Sequence, residues 1–235
     1  MNGSLWRRHM GSSMWNMLAM SGAYLGLFTM AEVLYHVFKV NAESTRKLVH
    51  IGTGLLALLF PIIMNNHWQV LLLCSIFALL LLLSLRTGLL QSINGIRRKS
   101  YGSLGYPIAV YGSFLAYEYH DRQYVYYYLP VLVLAICDPL AAYIGRKYRF
   151  GLYRVGTGIK TISGSAAFFF AAILVTAGVY RYLGNFPTIG YFISVAALVA
   201  TLATLAESWS SRGLDNVTIP AAVWVGLALA EHVLA

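Results

Sequence analysis

Residues 138–164, DPLAAYIGRKYRFGLYRVGTGIKTISG, hold the types a polyphosphate site needs. One acid, Asp138, stands at the end of an apolar run, and Lys160-Thr161 open the next one. Between and around them lie five glycines, among them Gly145, Gly158 and Gly164, and five basic residues, Arg146, Lys147, Arg149, Arg154 and Lys160. A hard cation takes carboxylate oxygen, while polyphosphate takes cations and free backbone N–H groups. Glycine allows close backbone approach to an anion. The stretch therefore predicts a magnesium–nucleotide site. It is not a Walker A loop, because Ile159 separates Gly158 from the lysine where that loop needs Gly-Lys-Ser/Thr.

Three further constellations carry groups of the same kind. In ESTRKLVH, residues 43–50, helical spacing puts Arg46 and Lys47 on the face of His50, where two cations and an imidazole would hold phosphate. The plainer alternative pairs Glu43 with Lys47 and leaves the basic residues as a membrane-boundary signal. Asp138 and Gly145 are seven apart, with Ala141 and Ala142 between them, so one small-residue face carries the acid. In ESWSSRGLDNVTIP, residues 207–220, Glu207 ends a charge-free run, and Asp215-Asn216 precede Pro220. Asp138 and Glu207 are costly in apolar surroundings, which marks both as functional candidates. Asp215-Asn216 are acceptors for a metal, or an ordinary turn or helix cap. Glu32 and His36, four apart, read as a local pair.

The elements that must position these groups are membrane helices. Of 235 residues, 59% are hydrophobic and 11% charged, against about 25% charged in a soluble domain. Long windows such as 48–85 and 182–206 contain no Asp, Glu, Lys or Arg. A crossing helix needs roughly 20 apolar residues. The expected fold is all-α: a polytopic integral membrane bundle of about 7–8 transmembrane helices, one domain over residues 1–235, with no separate soluble domain. The expected spans are 14–38, 48–64, 67–85, 103–119, 124–145, 162–183, 187–207 and 217–234, the fourth and last being short for a full crossing. Arg7 and Arg8 precede an apolar run too long for a signal peptide. Cys74 and Cys137 fall inside apolar runs and read as small buried hydrophobes.

Charge then orients the bundle. The loops after spans 1, 3, 5 and 7 hold 13 of the 17 basic residues, including Arg97, Arg98 and Lys99. By the positive-inside rule they are cytoplasmic, which puts the motifs at 43–50, 138–164 and 207–220 on one cytoplasmic face. The net charge of +9 is explained by orientation and by phosphate, so nucleic acid is not an expected partner. On the opposite side Tyr117, Tyr119, Tyr124, Tyr126, Tyr127 and Tyr128 read as an interfacial aromatic belt.

Taken together, the ordered set resembles the polytopic lipid-alcohol kinases: phytol kinase, dolichol kinase and the CTP-dependent diacylglycerol kinases. The resemblance rests on E-x-x-R-K-x-x-H as Glu43, Arg46, Lys47 and His50, and on D-x-x-A-x-x-x-G-R as Asp138, Ala141, Gly145 and Arg146. Lys160-Thr161 with Gly164, then Glu207, Asp215-Asn216 and Pro220, complete it. It implies magnesium-dependent transfer of the terminal phosphate of CTP, or ATP, to a membrane lipid alcohol such as phytol, farnesol, polyprenol or diacylglycerol. In that reading Asp138, Asp215 and Asn216 are the metal-ligand candidates. Lys160, Arg146, Arg46 and Lys47 neutralise phosphate, and Thr161, Gly158 and Gly164 cradle it. Asp138, Glu207 and His50 compete as general base. Two other readings stand beside it: a CTP-using enzyme like phosphatidate cytidylyltransferase, and a small transporter. The sequence does not choose the alcohol or the oligomeric state.

Overall fold

The structure, a computed structural model, describes residues 3–95, 102–183 and 188–234, with side chains described for 14–95, 102–183 and 188–232. Arg97, Arg98 and Lys99, expected as a cytoplasmic anchor, lie outside the described residues, as do the side chains of Arg7 and Arg8. The contacts divide the chain into two compact units, Met1–Arg97 and Arg98–Ala235.

The first unit contains α1 (Gly3–His36), α2 (Ala42–Ala57), α3 (Phe60–Ile63), α4 (His67–Thr87) and α5 (Gln91–Asn94). α2 begins six residues before the expected span, because the Asn41 side chain accepts from Ser44 N and caps the helix there. ESTRKLVH thus occupies its first two turns. Asn66 caps α4 in the same way through Gln69 N, at the polar Asn65-Asn66 pair between Met64 and the helix. Tyr24 and Phe28 of α1 meet Phe77 of α4 at 4.9 and 5.8 Å between ring centres.

The second unit contains α6 (Gly102–Tyr119), α7 (Val125–Leu132), a π-helical stretch (Val133–Cys137), α8 (Asp138–Lys147), strands β1 (Leu152–Val155) and β2 (Gly158–Thr161), α9 (Ile162–Leu183), α10 (Ile189–Trp209) and α11 (Asp215–Leu234). α7, the π stretch and α8 form one apolar helix over Val125–Lys147. Pro139 does not break it. Proline lacks an N–H for the carbonyl four residues back, Ala135, and its ring crowds that carbonyl. The chain widens into a π turn immediately upstream instead.

Among the described residues, six helices are long and apolar enough to cross a membrane: Met14–His36, Ala42–Ile63, His67–Thr87, Val125–Lys147, Ile162–Leu183 and Ile189–Trp209. This is a helical, polytopic membrane protein. The remaining two expected spans form helices α6 and α11 but are not among those six. Two features depart from the sequence expectation. β1 and β2 form an antiparallel hairpin within the glycine-rich, basic stretch, in what the sequence predicts to be an all-α fold. And the tyrosine belt is partly interior: Tyr117, Tyr126 and Tyr127 are buried, Tyr117 and Tyr127 packing on Phe114, whereas Tyr119 is exposed.

Candidate active site

The hairpin is built by period-two alternation on either side of Gly156-Thr157. Tyr153 pairs with Lys160 and Arg154 with Ile159, so Tyr153 and Lys160 share one face of the ribbon. The turn requires glycine at its first position. Gly156 has φ +56°, and a Cβ there would stand 2.8 Å from Ser211 Oγ. The same contact brings the hairpin tip to the loop between α10 and α11, so residues 138–164 and 207–220 gather at one end of the second unit.

The face shared by Tyr153 and Lys160 meets α9 and α10. Lys160 Nζ donates to Glu207 Oε1 at 2.5 Å and also to the Glu207 carbonyl. Both side chains are largely buried, Glu207 at 9% exposure and Lys160 at 18%. The other carboxylate oxygen, Oε2, accepts from Ser165 Oγ at 3.3 Å and Ser208 Oγ at 3.5 Å. Ser208 reaches Ser165 at 3.1 Å, and Ser165 meets the Tyr153 hydroxyl at 2.7 Å. The acid that looked expensive in one dimension is therefore matched by a cation and two hydroxyls. Beside this network opens a cleft of ≈ 750 Å³ between the hairpin, α9 and α10. Tyr153, Ser165 and Ser208 line one part of it, and Ala166, Phe169, Phe170 and Trp209 another.

Small residues hold the framework together. α8 crosses the start of α9 at Gly145 and Gly164, whose Cα atoms are so near that a Cβ on either would lie 3.4 Å from the other. A Cβ on Gly145 would also stand 2.5 Å from Thr161 Oγ1. Thr161 is buried and accepts from Gly164 N at 3.0 Å, capping α9. Gly145, Thr161 and Gly164 thus have a packing role in this structure. Gly158 differs, since a Cβ there meets only the Val155 carbonyl at 3.5 Å.

Asp138 is the first residue of α8, directly after the π stretch, and is half-buried. Asp215 opens α11 and accepts from Asn216 N. Asn216 is buried and donates to the Gly102 carbonyl at 2.6 Å, which ties the start of α11 to the start of α6. Among the described residues no three His, Cys, Asp or Glu side chains stand together as a metal cage. Magnesium is commonly held by one or two carboxylates, with phosphate and water completing the shell. Asp138 and Asp215 are carboxylates of the kind such an ion takes, and the Nδ2 bond from Asn216 to Gly102 uses no lone pair of the Asn216 Oδ1, the atom a metal would take.

Arg46, Lys47 and His50 belong to the first unit. All three are half-buried on α2. Glu43 pairs with Arg46, three residues on, at 2.9 Å. Thr45 Oγ1 donates to the Ser92 carbonyl at 2.6 Å, and Ser92 N donates to Glu32 Oε1 at 2.9 Å. Glu32 also takes the expected His36 contact at 3.0 Å. The basic turn is therefore fastened to α1 and α5.

The phytol kinase of Synechocystis sp. is 31% identical to this chain over 213 residues, 90% of either protein. The chain belongs to the phytol kinase family. No family model matches it, and no solved structure does. Family membership makes it a kinase among the lipid-alcohol kinases. It favours the kinase reading over the cytidylyltransferase and transporter readings. Sequence reasoning missed Tyr153, Ser165 and Ser208 as members of this network. The available signal was the alternation in LYRV and GIKT around Gly-Thr, which marks a hairpin and pairs Tyr153 with Lys160.

Proposed function

We propose that this protein transfers the terminal phosphate of a nucleoside triphosphate, with CTP as the favoured donor, to a membrane-embedded isoprenoid alcohol. Phytol is the first acceptor to offer, because it is the alcohol in the relative's name. The observation that carries the proposal is the buried Lys160–Glu207 pair at the hairpin, in a chain of this family.

Phosphoryl transfer depends on positioning and charge neutralisation more than on covalent chemistry by the protein. In protein kinases a lysine is aimed at the phosphates by an ion pair with a glutamate. Lys160 and Glu207 have the same relation: Glu207 holds the ammonium in place through its carboxylate and its backbone carbonyl. Lys160 then neutralises a phosphate oxygen, assisted by Arg146 and Arg154, both exposed at the same end of the unit. The acceptor oxygen attacks the terminal phosphorus and gives up its proton to a general base, for which Asp138, Glu207 and His50 are the candidates. The bond from that phosphorus to the bridging oxygen breaks, and the nucleoside diphosphate leaves with the electron pair. A magnesium ion, when bound, would spread the charge on the phosphates, with Asp138 and Asp215 as its carboxylates. Arg46, Lys47 and His50 form a second basic group for phosphate. The basic loops support a cytoplasmic catalytic face.

The test is phosphate transfer by purified protein in detergent with magnesium, γ-labelled CTP or ATP, and a mixture of phytol, farnesol, polyprenol and diacylglycerol. Label in a phytol or other isoprenoid product from CTP is expected. Transfer from ATP alone would overturn the donor, and label only in phosphatidate would overturn the acceptor class. No label in any lipid from a folded preparation would overturn the proposal.

A further inference from the structure

The cleft beside the Lys160–Glu207 pair changes character along its length. On α9, Ser165 and Phe169 are one turn apart, as are Ala166 and Phe170, so a single stripe presents a hydroxyl first and apolar surface after it. One turn is about 5.4 Å of helix. On α10, Ser208 stands at the level of Ser165, bonded to it at 3.1 Å, and Thr204 lies one turn deeper. At the head of the cleft, Ser165 and Ser208 bond each other and Glu207 Oε2, and the Tyr153 hydroxyl joins them through Ser165. Further down, the wall is Ala166, Phe169 and Phe170, within Ile162–Leu183, a helix apolar enough to cross the membrane. Its volume of ≈ 750 Å³ falls within the roughly 300–1,000 Å³ of small-molecule sites.

We infer that this cleft is the acceptor site: the lipid alcohol's hydroxyl sits among Ser165, Ser208 and Tyr153, and its hydrocarbon tail runs down between α9 and α10 over Phe169 and Phe170. The inference rests on the kinase reading above. A lipid tail would cover any lipid-facing groove. What distinguishes this one is a hydroxyl-binding head that shares the glutamate holding Lys160. An alcohol bonded there lies beside the cation assigned to the phosphate. A nucleotide base is the competing occupant. Arg154 on the hairpin side and Thr204 on α10 are polar groups that a base would use, whereas the α9 wall of Ala166, Phe169 and Phe170 offers no in-plane hydrogen-bond partner and favours a hydrocarbon.

Two measurements test this on the full chain in lipid nanodiscs. In the first, a diazirine-bearing farnesol analogue is photolysed on the wild-type protein, and labelled peptides are mapped. Label concentrated on residues 162–170 and 204–209, and competed by unlabelled phytol, is expected. Label confined to other helices would overturn the inference. In the second, Ala166→Trp fills the groove. Ala166→Trp should raise KM for the alcohol at least tenfold and leave KM for the nucleotide within twofold. A rise in nucleotide KM alone would hand the cleft to the base. Should Ala166→Trp fail to fold, the photolabelling decides. The two readings fail separately. Phosphate transfer with label elsewhere refutes the acceptor cleft only, and label in the cleft without transfer refutes the kinase reading only.

Discussion

At the residue scale, the Lys160–Glu207 pair separates stability from activity. Removing one member of a buried pair leaves the other charged and unpartnered, at a cost of about 3–5 kcal/mol, whereas replacing both by apolar groups is often neutral or stabilising. Lys160→Met should therefore lower the unfolding temperature, and Lys160→Met/Glu207→Leu should recover most of it. Neither should transfer phosphate: loss of one preorganised charge-stabilising group reduces kcat by about 10²–10³. Thermal melts and turnover on the same preparations check both halves. An active double variant would remove Lys160 from the phosphate site. For Asp138 the expectation is simpler. Asp138→Asn keeps shape and removes charge, so it should abolish turnover in a protein that still folds and inserts. Measurable kcat in that variant would end its assignment to the metal.

At the element scale, the crossing of α8 and α9 fixes how Asp138 on one helix relates to Lys160 just before the other. Gly145→Ala places a Cβ against Thr161 Oγ1, the cap of α9. Overpacking of this kind costs about 1–3 kcal/mol. The expected outcome is a lower melting temperature together with a loss of kcat, because the displaced group caps the helix that follows Lys160. Gly158→Ala is the matched control. It has open space at van der Waals distance and should leave the melting temperature within error of wild type. A substantial loss of activity in a stable Gly158→Ala protein would instead support close approach of phosphate to that backbone. The π turn ahead of Asp138 belongs to the same scale, for it lets one helix carry both Pro139 and an acid near a bundle end.

At the scale of the whole molecule, the spans determine which groups share a side of the membrane. Asp121, between α6 and α7, and Thr157, at the hairpin turn, are separated by the single apolar helix Val125–Lys147. Its 23 residues span about 34 Å, enough for the hydrocarbon core. In a variant with Cys74 and Cys137 replaced by serine, cysteines introduced at Asp121 and Thr157 should react with an impermeant thiol reagent from opposite sides. The Thr157 site should label from the cytoplasm, as the basic loops direct. Labelling of both from one side would refute the crossing. Labelling of Thr157 from outside would invert the orientation while leaving the crossing intact.

The membrane class, the helical fold and the borders of most helices were legible in the sequence, because the cost of burying charge or an unpaired backbone in lipid writes itself as charge-free windows. Capping chemistry wrote the start of α4 as Asn65-Asn66, and period-3.6 spacing showed Glu32 and His36 as a pair. The ordered motifs also carried the family. What one dimension does not hold is which distant groups meet. Lys160 and Glu207 are 47 residues apart, and only the return of α10 beside the hairpin turns a costly acid into a partner for that lysine. The same packing gives Gly145, Thr161 and Gly164 a place in a helix crossing with its cap, which their spacing did not show. It also drew three tyrosines of the expected belt inward, since a ring with a polar tip suits an interface and a packed core alike. Local sterics and solvation are encoded residue by residue, but a site assembled from three helices and a hairpin exists only once their faces have met.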